Sequence, residues 1–279
     1  MIKINDLDLK KWKDYTDIQT SSLWLIASRD KSQGHRNIYH GNFVPQIPNQ
    51  LIRRYTKTGE VVLDLFAGSG TSLIEARKLG RHSVGLELVE SVADETRRHL
   101  DSLDNPFNVS TVIKVGDASY APMIDYLGSF EIKGGGALWA INVANETDYE
   151  YYHLVILHPP YFDIVKFSRE AGDLSNSENM MDFLSKFKRV ATISYHSLYK
   201  NRYAALVMAD FYRNGELVPL GFQTMQIMQE VGFTLKAIVV KNMVNSRAKQ
   251  GQEALWRYRA LKNGTFTFAH EYVFVFSKQ

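Results

Sequence analysis

Apolar runs of strand length alternate along this chain with stretches whose apolar residues recur every three or four positions. VVLDLF (61–66) is short and β-branched and ends at glycines, and SLIEARKLG (72–80) follows it with helical spacing and Gly80 at its stop. SVGLEL (83–88) reads as a second strand, VESVADETRRHLDSL as a helix, STVIKVGD (110–117) as a third strand and HLVILH (153–158) as a fourth. MMDFLSKFKRVATISYHSLY (180–199) is helical, AALVMAD (204–210) extended, and FQTMQIMQEVG (222–232) a helix capped at Gly232. FTLKAIVVKNM (233–243) and TFTFAHEYVFVFSK (265–278) form a closing antiparallel pair. The alternation predicts an α/β fold, a mostly parallel seven-stranded sheet ending in a C-terminal antiparallel hairpin, with helices on both faces. Two stretches resist assignment: the first 40 residues, partly helix and partly loop, and the segment from Pro122 to Tyr149, whose triple glycine predicts an inserted hairpin.

One break in the pattern asks for a chemical reason. The fourth strand runs into LHPPYF (157–162). Two consecutive prolines cannot donate to a β ladder, so the strand must stop there. Each proline also extends its predecessor, which stiffens His158 and Pro159, and aromatic Tyr161 and Phe162 follow at once.

Composition narrows the reading. At 279 residues with 45% apolar content, the chain can build one large domain or two small ones, with a substantial core. The absence of cysteine excludes disulfides and cysteine-based zinc sites, and no metal is implied. No run of about 18 apolar residues and no signal-peptide pattern is present, so a soluble cytoplasmic protein away from membranes is expected. Net charge is only +3, which does not itself argue for nucleic acid. Its distribution says more. Between residues 241 and 262 stand Lys241, Arg247, Lys249, Arg257, Arg259 and Lys262 against Glu253 alone, with Trp256 and Tyr258 among them. SRDKSQGHRN (28–37) is a second basic, loop-like cluster, and a solvated surface is the plain alternative for both.

The turn after the first strand, VVLDLFAGSGTSLIEA, carries Gly68 and Gly70, which let backbone bend sharply and approach a ligand. It lacks the Gly-Lys-Ser/Thr of a P-loop and the third glycine of a dinucleotide fingerprint. Three acids stand at successive strand ends. Asp64 is placed to meet a ligand ammonium or orient the loop, Glu87 to accept from both hydroxyls of a ribose, and Asp117 to bond an adenine amino group. Each alone is equally a cap or turn former; three in order, at the binding edge of an open α/β sheet, point to a nucleoside ligand.

DLFAGSGT, an acid-ended strand, GDA and then HPPY, in that order, resemble the S-adenosylmethionine-dependent DNA amino-methyltransferases of the N6-adenine/N4-cytosine family. The resemblance runs nearly end to end, through HGNFVPQIPNQLIRRYTKTGEVVLDLFAGSGT before the loop and YAALVMADFYRNGELVPLGFQTMQIMQEVGFTL and AHEYVFVFSK after it. It implies a single catalytic domain over residues 1–279 with a Rossmann-like methyltransferase fold. Within it, residues 1–58 would line the cofactor pocket, 122–149 would be an insertion, and 241–264 a basic loop that recognises DNA. S-adenosylmethionine would be held by Phe43, Asp64, Phe66, Ala67, Gly68, Ser69, Gly70 and Thr71, with Glu87 on the ribose and Asp117 on the adenine.

The resemblance also gives the prolines a task. An exocyclic amino nitrogen is a poor nucleophile because its lone pair is delocalised into the ring. Acceptors on its two N–H bonds would expose that lone pair. In such a turn these are the side chain at 158 and the carbonyl of Pro159, held by Pro160. Tyr161 would stack on the flipped base, and Phe162 is either a second wall of that pocket or core. His158 departs from the family's usual Asp, Asn or Ser, and accepts a hydrogen bond only when neutral. Either it is that neutral acceptor, or the acceptor lies elsewhere, or the domain only binds.

Site-specific methylation of double-stranded DNA, of the restriction-modification kind, is the implied activity, with adenine N6 favoured slightly over cytosine N4. Recognition would come from loops: 241–262 with Arg247, Lys249, Arg257 and Arg259, the 28–40 stretch, 122–149, and SREAGDLSNSEN (168–179). Lys166 and Arg169 would hold phosphates of the flipped strand, and a homodimer or partner subunit is the other source of contacts. The alternatives weighed are a tRNA guanine-N2 or protein-glutamine methyltransferase of the same fold, and a non-catalytic cofactor-binding subunit.

Overall fold

A computed structural model describes residues 3–32, 34–36, 41–120, 126–127, 151–243 and 251–279. Its organising feature is period-two alternation along the inner strands, which supplies two apolar faces to one sheet. The strands are β1 (Leu23–Trp24), β2 (Val61–Asp64), β3 (His82–Glu87), β4 (Thr111–Val115), β5 (Tyr152–Leu157), β6 (Leu198–Met208), β7 (Phe211–Arg213), β8 (Glu216–Val218), β9 (Thr234–Asn242) and β10 (His270–Ser277). The helices are α1 (Gln46–Tyr55), α2 (Thr71–Lys78), α3 (Glu90–Asp101), α4 (Met180–Ser197), α5 (Leu220–Val231) and α6 (Glu253–Asn263).

The main sheet runs β1-β9-β10-β6-β5-β2-β3-β4. Only β10 is antiparallel to its neighbours, and it lies between β9 and β6. Val155 and Leu157 on β5, with Leu206 and Met208 on β6, face Phe183 and Phe187 of α4 and Met228 of α5. Leu154 and Ile156, with Ala205 and Val207, face the other way, onto Ile47, Leu51 and Ile52 of α1. Parallel strands covered on both faces must be apolar on both, which is why these runs read as nearly continuous hydrophobic segments. Strand order reverses at β2, with β5 on one side and β3 on the other. The loops leaving β2 and β5 therefore open side by side at the carboxyl edge, where such sheets bind ligands.

The predicted elements stand close to their sequence positions, with four differences. Among the described residues the main sheet has eight strands, because Leu23 and Trp24 lie parallel on Val240 and Lys241; two residues are too few for a periodic signal. Helix α1 was unassigned, since Pro45 and Pro48 disguise it, yet both stand at its beginning, where a missing N–H is tolerated. A separate hairpin pairs β7 with β8 across Asn214 and Gly215, both at positive φ, the Asn-Gly turn signal that period alone overlooks. Residues 253–263, expected as part of a basic loop, are helix α6, closed by Gly264 at φ +65°. Of the expected 122–149 insertion, only Tyr126 and Leu127 fall among the described residues, and Leu127 is buried.

Candidate active site

Five segments converge on one cleft. Gly41, Asn42 and Phe43 enter from the chain before α1, and Phe66, Ala67, Gly68 and Thr71 from the loop between β2 and α2. Glu87 comes from the end of β3, Gly116 and Ala118 from just after β4, and His158, Pro159, Pro160 and Tyr161 from the end of β5. The cofactor loop and the proline turn, 90 residues apart in sequence, thus line the same cavity.

The glycine loop is built tightly. Gly68 and Gly70 both adopt positive φ, at 50° and 79°. A Cβ on Gly70 would stand 2.9 Å from Thr96 Cγ2, so the position excludes a side chain by conformation and by space. Thr96 Oγ1 donates to the Gly68 carbonyl at 2.8 Å, tying the loop to α3. Asn42 Nδ2 donates to Ser69 Oγ at 2.6 Å, tying it to the N-terminal segment.

Glu87 lies against this loop, its Oε2 accepting from the Gly68 N–H at 3.0 Å and its Oε1 from Val89 N–H at 2.9 Å. Each oxygen keeps a second acceptor position, so the carboxylate braces the loop and still presents lone pairs to the cleft. Burial raises its pKa, against the backbone N–H bonds that lower it. Asp64 stands one layer behind. Its Oδ1 accepts the Phe66 N–H at 2.9 Å, while buried Oδ2 has no hydrogen-bond partner. Burial pushes this carboxyl up to about 6, with Ser72 and the Phe66 amide favouring the charged form; Ser72 is near without closing a hydrogen bond.

In the proline turn, His158 Nε2 lies 3.1 Å from Tyr161 Oη. Tyr161 Oη donates to Glu271 Oε2 at 3.0 Å, and Glu271 Oε1 accepts from Lys241 Nζ at 2.9 Å. Phe43 meets the His158 ring edge-on, centroids 4.9 Å apart. Burial lowers the His158 pKa to about 4; Glu271 acts against that shift and Lys241 with it. At ordinary pH the ring is therefore neutral. Burial, and then Glu271, holds the Tyr161 phenol protonated.

The expected residues divide by position. Asp64, Ser69, Gly70 and Asp117 support the cleft without lining it. Asp117 Oδ1 is engaged by the Ser119 N–H and hydroxyl, and Gly172 packs so closely on Oδ2 that a Cβ there would stand 2.5 Å away. Phe162 is core, buried against Phe183 with the Arg213 guanidinium over its ring, at φ +54°. Lys241 does not belong to the basic surface, because β9 buries it against Glu271. The Lys166 ammonium bonds the Ser175 carbonyl, while Arg169, Arg257 and Arg259 are exposed. Arg259 stands over the ring of half-buried Trp256, 5.5 Å from its centroid. Arg247 and Lys249 lie outside the described residues.

Sequence reading missed the cover of the cleft. Ile164, Val165, Phe167, Ser168 and Asp173 line it from the segment after the prolines. Asp173 organises that segment, accepting from Ser168 N–H and Oγ and from Ser175 N–H, each at 2.8 Å. The run DLSNS after a glycine was the available signal, as an Asx-turn and N-cap pattern. Among the described residues no cluster of three or more potential metal ligands occurs, and no helix is long and apolar enough to cross a membrane.

Comparison with known proteins bears on the cofactor half of this cleft. A family model described as DNA methylase matches residues 2–98, from the N-terminal segment through most of α3. Over residues 2–98 the chain is therefore similar to the DNA methylases. The Type II methyltransferase M.MjaII of Methanocaldococcus jannaschii is 29% identical over 66 residues, 23% of this chain and 12% of that protein. M.MjaI, a Type II methyltransferase of the same organism, is 32% identical over 80 residues, 29% of this chain and 26% of that protein. The matches thus span about a quarter or less of those relatives. TrmN from Thermus thermophilus shares the fold, with TM-score 0.50 and 15% identity over 86% of this chain and 50% of that one. The fold is the Rossmann-like one that TrmN shares.

S-adenosylmethionine is the cofactor this methylase segment implies, and the residues fit it. Glu87 offers free lone pairs for ribose hydroxyls, the loop backbone at Ala67 and Gly68 faces the cleft, and an unpartnered buried carboxylate oxygen lies beneath the loop.

Proposed function

We propose that this chain transfers a methyl group from S-adenosylmethionine to an exocyclic amino nitrogen of a base in double-stranded DNA, adenine N6 rather than cytosine N4. The observation that carries the reading is the shared cleft, with a nucleoside-binding loop at one end and the HPPY turn at the other. When bound, the cofactor supplies a methyl already activated by its sulfonium charge, so the protein's task is mainly alignment. Glu87 orients the ribose, and Asp64 adds negative charge beneath the methionine end. The Pro159 carbonyl, fixed by Pro160, accepts one N–H of the target amino group. Neutral His158 accepts the other, so the nitrogen lone pair is directed at the methyl.

Tyr161 lines the cleft, and a flipped base would stack on its ring at a value of about 1–3 kcal/mol per base. Its hydroxyl is already engaged by Glu271, so the ring alone is available to the base. Exposed Arg169 beside the turn, and Arg257 and Arg259 on α6, contact phosphates.

The test is to incubate purified chain with methyl-labelled cofactor and, separately, plasmid DNA, tRNA and cell extract. Label in DNA supports the reading; label confined to RNA or protein, or none anywhere, overturns it.

A further inference from the structure

In the scheme above the buried Lys241–Glu271 pair only engages the Tyr161 hydroxyl, and its position needs a further reason. Both residues are almost wholly buried, at 4% and 6% exposure. They face each other across neighbouring antiparallel strands, in direct register. A buried ion pair is a weak source of stability, since desolvation offsets much of its attraction and apolar replacements often serve as well. This one ends at the catalytic turn, through Tyr161.

The hydrogens decide what it does there. Paired with the Lys241 ammonium, Glu271 is a carboxylate and can only accept. Tyr161 has one hydroxyl hydrogen and two neighbours, Glu271 Oε2 at 3.0 Å and His158 Nε2 at 3.1 Å. Giving that hydrogen to His158 would set two oxygens with only lone pairs against each other at 3.0 Å. Giving it to Glu271 leaves the tyrosine oxygen as an acceptor, which requires a hydrogen on Nε2. In a neutral ring the other nitrogen is then bare. His158 Nδ1 has no hydrogen bond among the described residues, and the side chain lines the cleft.

We propose that Lys241 and Glu271 are positioning residues that act through Tyr161 Oη to fix His158 as the Nε2–H tautomer, leaving Nδ1 as the acceptor for the target amino group. The inference rests on the methylase reading only for what Nδ1 accepts. The charged and titratable groups around the ring are Tyr161 from its own turn, Glu271 from β10 and Lys241 from β9; Phe43 closes another side with an apolar edge.

The tautomer is read directly by two-bond proton–nitrogen correlation NMR on histidine-labelled full chain, without cofactor or DNA, with His158 assigned by its loss in His158→Asn. Wild type should show a protonated Nε2 and a bare Nδ1. In Glu271→Gln the amide can donate to Tyr161, freeing its hydroxyl hydrogen for Nε2, so the population should move several-fold toward Nδ1–H. Tyr161→Phe removes a single oxygen and should relax the same bias, which keeps the test open if the charge change at 271 prevents folding. A bare Nε2 in wild type overturns the proposal, as does a tautomer unmoved in every variant that folds. Because no cofactor or DNA is present, failure here sinks the relay alone, whereas failure of methyl transfer sinks the methylase reading.

Discussion

Replacing Asp64 with Asn isolates the most heavily buried acid of the cofactor loop. The carboxyl is 1% exposed, and burial moves it from 3.8 to about 6. Its folded pKa lies above the unfolded one, so the folded state prefers the protonated form. The stabilising contribution is full below about pH 3.8 and is lost as pH rises through about 6. Over its whole span the shift corresponds to about 3 kcal/mol, and between pH 4.5 and 8 to about 2 kcal/mol. Asn can still accept the Phe66 N–H, but its amide would sit where Oδ2 has no partner, a pH-independent loss of about 1–3 kcal/mol. The slope is therefore diagnostic and the offset is not. Urea unfolding of cofactor-free wild type and Asp64→Asn across pH 4.5–8 should show wild type losing about 2 kcal/mol relative to the variant as pH rises. A difference that stays flat over that range would refute a carboxyl titrating near 6.

Three further outcomes follow from the cleft. Because burial holds His158 neutral down to about pH 4, the kcat profiles of wild type and His158→Asn should run parallel between pH 5.5 and 8. A wild-type limb near 6.5 that disappears in the variant would show the ring titrating at its ordinary value. Gly70→Ala should weaken cofactor binding roughly tenfold or more by calorimetry, adding contact with Thr96 to a left-handed penalty of about 1–2 kcal/mol. Gly59→Ala, at φ +80° in open space, is its control and should leave cofactor affinity unchanged; equal effects at both positions would remove the Thr96 contact from the account. Arg257→Ala/Arg259→Ala should lower the slope of log affinity for DNA against log salt by about 1–2, with cofactor affinity unchanged, and an unaltered slope would take α6 out of the DNA interface.

Most of the scaffold was legible because it rests on period. Strands β2 and β5 are largely apolar on both faces and run into glycine or proline turns, and the structure starts and ends them within a few residues of the sequence reading. The loop at Gly68 and Gly70 and the turn at Pro159 and Pro160 were legible because these residues restrict or extend backbone geometry by their own chemistry. Misreadings arose where a side chain's partner is distant. Lys241 looked like one more surface cation, but Glu271, its partner, lies 30 residues later and only strand pairing brings them together. A lone acid in the apolar run EYVFVFS was the available hint. Helix α6 looked like loop because it buries none of its residues and so has no apolar face to reveal its period. The close packing of Gly172 on Asp117 was likewise beyond sequence, because only the fold brings the two together.

The central claim concerns an atom, and mass spectrometry of nucleosides tests it at that resolution. Plasmid DNA lacking amino-methylated bases is incubated with the full chain and S-adenosylmethionine, digested, and compared with a reaction lacking enzyme. N6-methyladenine should appear with enzyme and cofactor together; N4-methylcytosine in its place would overturn the choice of base while keeping transfer to an amino nitrogen. Methylation at a ring carbon, or DNA that stays unmodified while the chain binds cofactor normally, would contradict it.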